Sequence, residues 1–571
     1  MNASAQNLRR LLTTGGHLTE SQIAALLQAP REPGQSLVTA WVKSGAVSEE
    51  RLLETLAAAL GLTFTRLTEQ DVDATVRAKI PTKIVFQYNL MPMRMDGDTL
   101  IVAVNDPFDI GIAESVRLVA GCRVRLALGT ASDIAKALKR YYGVGAETLD
   151  ELIQKNVVDL DLEGPAVTKE DLEKGDQEAS VVKFVNQIIA EAYKERATDI
   201  HLEPMENDLR IRYRVDGVLH QAPVPPQLKR FQPAIVSRIK VMSNMDIAER
   251  RLPQDGRINV RSGGAEIDVR VSTVPTAHGE SVSLRLLTRS SLFLGLNKLG
   301  LGPDDEKIVR KLVDMPHGII MVTGPTGSGK STSLYAFLST INSIDQRIIT
   351  IEDPVEYELP GVNQIQVKPE IGLTFASGLR HILRQDPDVI MVGEIRDKET
   401  AEIAIRAALT GHLVFSTLHT NDSAGAVTRL LDMGIEPFLV SSSVEALIAQ
   451  RLVRSICPDC KEQYTPDPEL LKEVGFPTNG EEVRLYRGRG CEACRFTGFR
   501  GRIGIYEILV LRENLRPLII ERAASSTIKA AAIENGMKTL RDDGWAKVKA
   551  GLTSLEEVAR VTQEDEDLSE T

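Results

Sequence analysis

The chain lacks any apolar run close to the roughly 18 residues that a membrane-spanning helix needs. Its N-terminus, MNASAQNLRRLLTTGG, also lacks the unbroken apolar stretch of a secretory signal peptide. We therefore expect a cytoplasmic protein that reaches any membrane through a partner.

The chain has no excess of basic residues. It carries 68 Lys and Arg against 79 Asp and Glu, a net charge of -11. Most of this charge is local, because residues 147–180 hold eleven acidic residues against three lysines and the tail EDEDLSET adds five acidic residues. The remainder is close to neutral and lacks the basic stripe of a duplex-binding protein, so we expect no nucleic-acid partner. We interpret residues 146–180 as an acidic linker and residues 563–571 as an acidic tail.

Cysteine is scarce, but four of the five cysteines fall in two CxxC pairs, CPDC and CEAC, with thirty residues between them. This spacing suits one tetrahedral all-thiolate site, for which zinc is the preferred ion. Disulfides are not expected in a reducing cytoplasm, and four protein ligands leave no open position, so we predict a structural site. The basic flank RGRG…RFTGFRGR would also suit a nucleic-acid zinc ribbon. The predicted ligands are Cys457, Cys460, Cys491 and Cys494, whereas Cys122 is interpreted as a small buried hydrophobic residue.

A length of 571 residues predicts three or four domains. Residues 1–145 begin with a weak repeat, GHLTESQIAALL and GAVSEERLLETL, that predicts two helical hairpins with Thr or Ser as N-caps. A strand hairpin around Asp96-Gly97 and a helix, ASDIAKALKRYYG, follow. Residues 181–297 combine helices with alternating strands such as LRIRYRVDGVLHQ, which predicts a second α/β domain.

Residues 298–562 show a different pattern of apolar strand, loop and helix, repeated. GIIMVTG, RIITIED, DVIMVGE and HLVFSTLH are short, continuous apolar runs, as expected of strands that are buried on both faces. Because helical segments separate them, we predict a largely parallel α/β sheet.

The segment GPTGSGKST fits the phosphate-loop pattern G-x-x-x-x-G-K-[ST], and it lies between a predicted strand and a predicted helix. Its glycines let backbone N–H groups face phosphate oxygens, and the helix N-terminus favours negative charge. Lys330 supplies a positive charge for the outer phosphates, and the Ser331 hydroxyl is a candidate magnesium ligand. The loop alone predicts that a nucleoside triphosphate binds, and the predicted binding residues are Gly324, Pro325, Thr326, Gly327, Ser328, Gly329, Lys330, Ser331 and Thr332.

Hydrolysis also needs carboxylates near the loop, and candidates follow two other predicted strands. TIEDPVEYE supplies Glu352, Asp353 and Glu356, and DVIMVGEIRD supplies Glu394. A third strand ends in STLHTN, which presents His419. Each could by itself be an ordinary surface residue, but the carboxyl ends of the strands of one parallel sheet converge on one crevice.

The motifs GPTGSGKST, TIEDPVEYE, LRQDPDVIMVGEIRD and GHLVFSTLHTND, in this order and followed by a four-cysteine module, resemble the secretion ATPases of type II secretion and type IV pilus assembly. The resemblance covers about residues 180–562 and, more loosely, the first domain. It implies a RecA-like P-loop ATPase domain with a four-cysteine zinc subdomain (455–497), preceded by a PAS-like α/β domain and a small helical plus α/β N-terminal domain.

The resemblance also implies residue roles. Glu356 matches the general base for the attacking water, Glu394 the acid that supports magnesium and water, and His419 a residue that contacts the γ-phosphate. Gly393 stands where many NTPases have Asp, a departure that the family shares. Arg270 and Arg285 match arginines that reach the phosphates, and Arg380 and Arg384 match arginines of the nucleotide domain that act near the same site. Without the resemblance, alternating arginines on a strand would be interpreted as members of solvated salt bridges.

An arginine supplied by another domain or subunit makes hydrolysis depend on domain position. The resemblance also implies a homo-hexameric ATPase motor that uses ATP, Mg2+ and Zn2+ and attaches peripherally to the inner membrane. Its implied partners are an inner-membrane platform protein at the cysteine module and a membrane-anchored linker protein at the N-terminal domain.

We expect that this motor powers type II secretion, and pilus extension is the alternative. A nucleic-acid translocase is a second class of function, which the near-neutral charge of the folded domains disfavours. An adaptor that binds ATP without turnover is a third, which the complete set of Glu356, Glu394 and His419 disfavours.

The N-terminal repeat also resembles a cyclic-dinucleotide-binding module, but LRRLL replaces that module's arginine–leucine–glycine opening, so we favour simple docking there.

Overall fold

The computed structural model forms two compact units, Met1–Leu287 and Thr288–Thr571. The predicted acidic tail and most of the predicted linker lie outside the described residues. The last residues of the predicted linker belong to a helix that begins at Gly175. The structure describes residues 3–31, 35–67, 72–77, 79–143, 175–262, 265–288, 295–478 and 483–562.

The first unit opens with the predicted helical hairpins, which pack around a buried core that includes Leu52 and Leu56. The predicted caps differ in detail. The Thr19 side chain accepts a hydrogen bond from the Gln22 N–H, whereas Ser48 holds the N-cap position without a side-chain hydrogen bond. The helices are α1 (Ala3–Thr14), α2 (Glu20–Leu27), α3 (Leu37–Lys43) and α4 (Glu49–Leu60).

A four-stranded sheet follows, and its strands and helices are β1 (Thr63–Phe64), α5 (Ala74–Arg77), α6 (Thr82–Gln87), β2 (Met91–Asp96), β3 (Thr99–Val104), α7 (Ile110–Ala120), β4 (Arg123–Leu128) and α8 (Ala131–Tyr142). The strand order is β1-β4-β3-β2. Strands β2 and β3 form the predicted antiparallel hairpin, with Asp96 opposite Thr99. Gly97 takes a φ of 59° in the turn, which a glycine adopts without steric cost.

The rest of the first unit is a six-stranded sheet of order β7-β6-β5-β10-β9-β8 with helices. Along β6, residues alternate between buried and half-buried, because one face packs against helices and the other carries charged side chains. The elements are α9 (Gly175–Lys194), β5 (Ala197–Pro204), β6 (Leu209–Val215), β7 (Val218–Gln221), α10 (Gln232–Met242), β8 (Gln254–Ser262), β9 (Ala265–Thr276) and β10 (Gly279–Thr288).

The second unit contains a seven-stranded sheet of order β13-β12-β14-β15-β11-β16-β19, in which β19 is Phe499–Val510. Its four predicted apolar strands are buried at every residue and pair in parallel, as expected. The elements as far as β16 are α11 (Pro303–Val313), β11 (Gly318–Thr323), α12 (Lys330–Ile341), β12 (Ile348–Glu352), β13 (Asn363–Gln366), α13 (Phe375–Ile382), β14 (Val389–Val392), α14 (Lys398–Leu409), β15 (Leu413–Leu418), α15 (Ser423–Asp432), α16 (Pro437–Ser443) and β16 (Val444–Ile456).

The cysteine module is inserted between β16 and β19, which pair antiparallel. The remaining elements are β17 (Lys461–Tyr464), α17 (Pro468–Glu473), β18 (Leu485–Gly488), β19 (Phe499–Val510), α18 (Arg516–Ile520), α19 (Ser525–Glu534), α20 (Leu540–Lys549) and α21 (Leu555–Thr562). Within the part of the chain that the structure describes, we find no helix that combines the length and the apolarity of a bilayer span.

Candidate nucleotide site

The candidate site lies at the carboxyl edge of the parallel sheet in the second unit. Thr323, the last residue of β11, pairs with Leu418, the last residue of β15. On the neighbouring strands, Ile351 of β12 pairs with Val392 of β14. Because parallel strands end at the same edge, the phosphate loop, His419, Glu394 and the segment after β12 all begin at this edge, as the strand pattern predicts.

Two glycines let the phosphate loop lie directly against β16. Gly324 has a φ of 147°, and a Cβ atom there would lie 2.5 Å from the backbone oxygen of Gln450. Gly329 has a φ of 93°, and a Cβ atom there would lie 2.8 Å from Nε2 of Gln450. Any side chain at either position would be strained in φ and would collide with Gln450.

Lys330 is the first residue of α12, and its ammonium group lies inside the loop. Nζ donates to the backbone oxygen of Gly324 at 2.8 Å and to that of Pro325 at 3.2 Å. Burial lowers the pKa of Lys330, Glu394 opposes this effect, and Arg451 adds to it. The cation is thus partly desolvated, which strengthens its attraction for an anion.

Glu394 and His419 meet as the sequence predicts. Nε2 of His419 lies 3.3 Å from Oε2 of Glu394, and Arg396 forms an ion pair with the other carboxylate oxygen. The Glu394 side chain is 12% exposed and that of His419 is 49% exposed, so the pair faces the surface through the histidine. The carboxylate is therefore held between two basic groups.

Gly393 lies close against the backbone of β12, which leaves little space for a side chain. Its N–H donates to the backbone oxygen of Ile351 at 2.8 Å. A Cβ atom at residue 393 would lie 3.3 Å from that oxygen and 3.3 Å from Cα of Glu352. An aspartate at this position would need β12 to move by a few tenths of an ångström.

The three acids of TIEDPVEYE separate in space. Glu352 is buried, and its carboxylate accepts hydrogen bonds from Tyr335, Thr350 and Gln364. Asp353 is exposed. Glu356 is half-buried in the loop that follows β12, and its N–H donates to the Tyr335 hydroxyl at 3.2 Å. Glu352 thus points into the core, and the sequence pattern alone does not show this.

Two of the matched arginines belong to the second unit. Arg380 forms an ion pair with Glu399, and Nη1 of Arg384 lies 3.2 Å from Nδ1 of His381. The other two, Arg270 on β9 and Arg285 on β10, belong to the first unit. Each unit therefore carries a pair of these arginines.

Sequence reasoning missed Gln450 and Arg451 on β16. Arg451 is 7% exposed, and its Nη1 would lie 3.2 Å from a Cβ atom on Gly324. Its Nη2 donates to Oδ1 of Asn421 at 3.2 Å, and Gln450 accepts a hydrogen bond from Ser333 at 2.8 Å. Both residues thus lie directly beside the phosphate loop on the neighbouring strand. The available signal was QR inside the apolar run VEALIAQRLV, since a buried charge in a strand calls for an explanation.

The four predicted cysteine ligands come together at one place. Their sulfur atoms lie within 4.8 Å of one another, and three sulfur pairs are 3.8 Å apart. Four thiolates around zinc at about 2.3 Å would have sulfur atoms about 3.8 Å apart, so the cluster fits tetrahedral zinc. Burial would raise the pKa of Cys494, but the N–H groups of Cys491 and Gly498 lower it to about 7. By contrast, burial raises the pKa of Cys457 and raises that of Cys460 to about 12, so Cys494 is the one of these three cysteines that ionises most readily.

Comparison with known proteins decides the family. Residues 174–560 match the family described as Type II/IV secretion system protein, and residues 60–148 match the MshEN domain. The chain therefore belongs to the type II/IV secretion system protein family.

The secretion ATPase is similar along almost its whole length both to a pilus assembly ATPase and to a type II secretion protein. It is 42% identical over 567 residues to the type IV pilus assembly ATPase PilB of Myxococcus xanthus, with 98% of this chain and 99% of the relative covered. It is 43% identical over 559 residues to the type II secretion system protein E of Xanthomonas campestris, with 96% of each chain covered.

The type II secretion system ATPase E of Vibrio cholerae is 53% identical over 395 residues, covering 69% of this chain and 78% of the relative. A crystal structure of the pilus retraction motor PilT with bound ADP aligns with 67% of this chain and with 98% of its own chain, at 30% sequence identity and a TM-score of 0.46. The family and the ATPases among its named members make this secretion ATPase an ATP hydrolase, for which ATP and Mg2+ are the expected nucleotide and ion.

Proposed function

We propose that this secretion ATPase is a homo-hexameric motor that hydrolyses ATP to assemble a pilus-like filament and thereby powers type II protein secretion. One observation carries the proposal: in a member of this family, the phosphate loop and the Glu394–His419 pair lie at one edge of a single, largely parallel sheet. This is the arrangement that in-line attack on a terminal phosphoryl group needs.

The phosphate loop binds ATP through Gly324–Thr332. The ammonium group of Lys330 donates to two backbone carbonyls, and phosphate oxygens attract a desolvated cation more strongly than carbonyls do. Ser331 is exposed at the first turn of α12, where its hydroxyl can serve as a ligand to Mg2+.

Glu356 acts as the general base that activates the attacking water. Glu394 supports magnesium and that water, and His419 contacts the γ-phosphoryl group. Nε2 of His419 lies within hydrogen-bonding distance of the Glu394 carboxylate, at 3.3 Å, which supports these two roles. A change of charge at the γ-phosphoryl group would then affect both side chains.

Arg270, Arg285, Arg380 and Arg384 neutralise the charge that spreads over the phosphoryl oxygens in the transition state. Such an arginine accelerates phosphoryl transfer by about 10³ to 10⁵. Because two of the four belong to the first unit, hydrolysis depends on where that unit is held, and this dependence couples chemistry to movement.

We propose a domain organisation of an N-terminal docking domain (1–145), an acidic linker (146–180), a second N-terminal domain (181–297), an ATPase domain (298–562) that includes the zinc module (455–497), and an acidic tail (563–571). The cysteine ligands hold a structural Zn2+, and their module contacts an inner-membrane platform protein. The motor is cytoplasmic and attaches to the inner membrane through its partners.

The first domain docks onto a membrane-anchored linker protein of the machine. A cyclic dinucleotide is the alternative ligand, because this region holds a cavity of about 780 Å³ lined by residues that include Arg31, Asp106 and Phe108. Titration of the full chain with cyclic di-GMP separates the two: saturable binding that Arg31→Ala weakens would favour the ligand, and no binding would favour docking alone.

Deletion of the gene in the source cell tests the function. We expect the loss of secreted enzymes with surface pili retained, and we expect recovery with the wild-type chain but not with the Glu356→Gln variant. Loss of pili alone would assign the motor to pilus extension. Stimulation of the purified ATPase by single-stranded DNA would instead favour a nucleic-acid translocase.

A further inference from the structure

The loop that carries Glu356 is attached to the helix that follows the phosphate loop. Tyr335 lies five positions after Lys330 in α12 and is buried. Its hydroxyl accepts the N–H of Glu356 at 3.2 Å. The same hydroxyl also bonds the carboxylate of Glu352, where β12 ends.

The direction of these hydrogen bonds follows from chemistry. The N–H of Glu356 can only donate, so the Tyr335 oxygen accepts from it and directs its own proton to Glu352. A tyrosine hydroxyl is protonated at neutral pH, and burial and the nearby Glu352 raise the pKa of Tyr335 further. The result is a one-way chain from the Glu356 backbone through Tyr335 to the Glu352 carboxylate.

Other contacts fix this carboxylate in turn. Thr350 donates to Oε1 of Glu352 at 2.6 Å, and Nε2 of Gln364 donates to the same oxygen at 3.0 Å. Gln364 also donates to the backbone oxygen of Tyr357 at 2.8 Å and accepts from the N–H of Leu359 at 2.6 Å. The Glu352 carboxylate and Gln364 therefore hold the loop at residues 356, 357 and 359.

We propose that Tyr335 and Glu352 are positioning residues that set the Glu356 carboxylate relative to the phosphate loop. This inference rests on the proposed role of Glu356 as the general base. Because Tyr335 belongs to the helix that Lys330 begins, the base and the phosphate-binding ammonium group are fixed to one rigid element. Neither Tyr335 nor Glu352 touches the nucleotide in this role, and both act through Glu356.

Tyr335→Phe tests the proposal in the full-length chain. It keeps the ring and removes the hydroxyl that holds the Glu356 backbone. We expect kcat for ATP hydrolysis to fall about tenfold while KM for ATP changes less than about twofold, because misplacement of a base slows chemistry without weakening ground-state binding. A kcat within about twofold of wild type would overturn the proposal.

A double variant separates positioning from general damage. If Tyr335 acts through Glu356, Tyr335→Phe should add no more than about twofold to the loss caused by Glu356→Gln, whereas independent effects would multiply. Single-turnover hydrolysis with enzyme in excess resolves these low rates. Multiplicative losses would overturn the inference and leave the base role intact, but near-normal turnover of Glu356→Gln itself would overturn both.

Tyr506→Phe is the matched control. Tyr506 is also buried in the second unit, and its hydroxyl donates to the backbone oxygen of Leu299 at 2.9 Å. Like Tyr335→Phe, this variant loses a buried tyrosine hydroxyl together with its hydrogen bonds, so we expect a similar fall in Tm with kcat retained. An equal fall of kcat in both variants would overturn the proposal.

Glu352→Gln keeps the proposal testable where Tyr335→Phe does not fold. The amide oxygen can still accept the Tyr335 proton, so we expect kcat to fall only about two- to fourfold, again without an additive loss in the Glu356→Gln background. If Glu352→Gln lowered kcat as much as Glu356→Gln does, Glu352 would itself take part in the hydrolysis step, and its positioning role would be overturned.

Discussion

Nε of Arg285 donates to Oδ1 of Asp199 at 3.0 Å, across the antiparallel pairing of β10 with β5. Arg214 on β6 approaches the other carboxylate oxygen of Asp199 at 3.9 Å. One carboxylate thus lies between two arginines on the charged face of the six-stranded sheet. The Arg285 side chain is 57% exposed, so it is held in place without being buried.

This shared carboxylate gives a matched test of the arginine role. We expect Arg285→Ala to lower kcat at least a hundredfold, since an arginine that neutralises the phosphoryl charge contributes about 10³ to 10⁵ in rate. Arg214→Ala removes the other arginine near Asp199 and should leave kcat within about threefold. Steady-state ATPase assays of the two variants measure this, and equal effects would show that Arg285 has no role of its own in hydrolysis.

Lys330→Ala should abolish ATP-dependent activity while the chain still folds. The change removes the ammonium group that now bonds the carbonyls of Gly324 and Pro325, and with it the positive charge offered to the phosphates. Phosphate release and the Tm check the two halves of this prediction. Lys311→Ala, at an exposed position of α11, is the control and should behave as wild type; retained turnover in Lys330→Ala would exclude the loop as the site of hydrolysis.

Replacement of Cys457 and Cys460 by serine should release about one metal ion per chain. Two of four thiolates are lost, and the remaining pair cannot complete a tetrahedral site. Elemental analysis of the purified variant measures the content, with Cys122→Ser as a control outside the cluster. Full retention of metal would mean that these cysteines are not its ligands.

Acid should weaken the second unit partly through Glu557. Burial acts to raise the pKa of Glu557, but hydrogen bonds from Arg454 and Arg560 lower it from 4.5 to about 2. A carboxyl whose pKa is lower in the folded state adds stability above about pH 4.5 and loses that contribution as pH falls toward 2.

We therefore expect Glu557→Gln to lower Tm at pH 7, and the difference from wild type to shrink as pH falls from about 5 to about 3. Thermal unfolding at a series of pH values measures this. Glu556→Gln, at the exposed neighbouring position, should show a much smaller difference. A constant deficit for Glu557→Gln across this range would contradict the ionic origin of the contribution.

The fold of the second unit could be predicted from its sequence to a large extent. The four apolar runs are strands, the phosphate loop joins a strand to a helix, and the cysteine pairs converge. These features were predictable because the strand and loop patterns are local in the sequence and because the spacing of the cysteines suits one metal site. Glu394 and His419 were also expected to meet, since equivalent ends of parallel strands share an edge.

The contrast between Glu352 and Glu356 could not be predicted in the same way. Both are acids that follow an apolar strand, yet one is buried among Tyr335, Thr350 and Gln364 and the other lies in the following loop. Tyr335 and Gln364 are distant in sequence from one another, so the partner of each acid depends on which elements pack together.

By itself the sequence determined the strands, the phosphate loop and the two cysteine pairs, because periodicity and motif spacing act over short stretches of chain. Only the tertiary structure decided that Arg451 and Gln450 lie beside that loop, that Gly393 has little free space beside β12, and that Tyr335 accepts a hydrogen bond from the backbone of Glu356. The physical reason is the strand order β12-β14-β15-β11-β16, in which neighbours are brought together by crossover connections, so that close contacts join residues far apart in the chain.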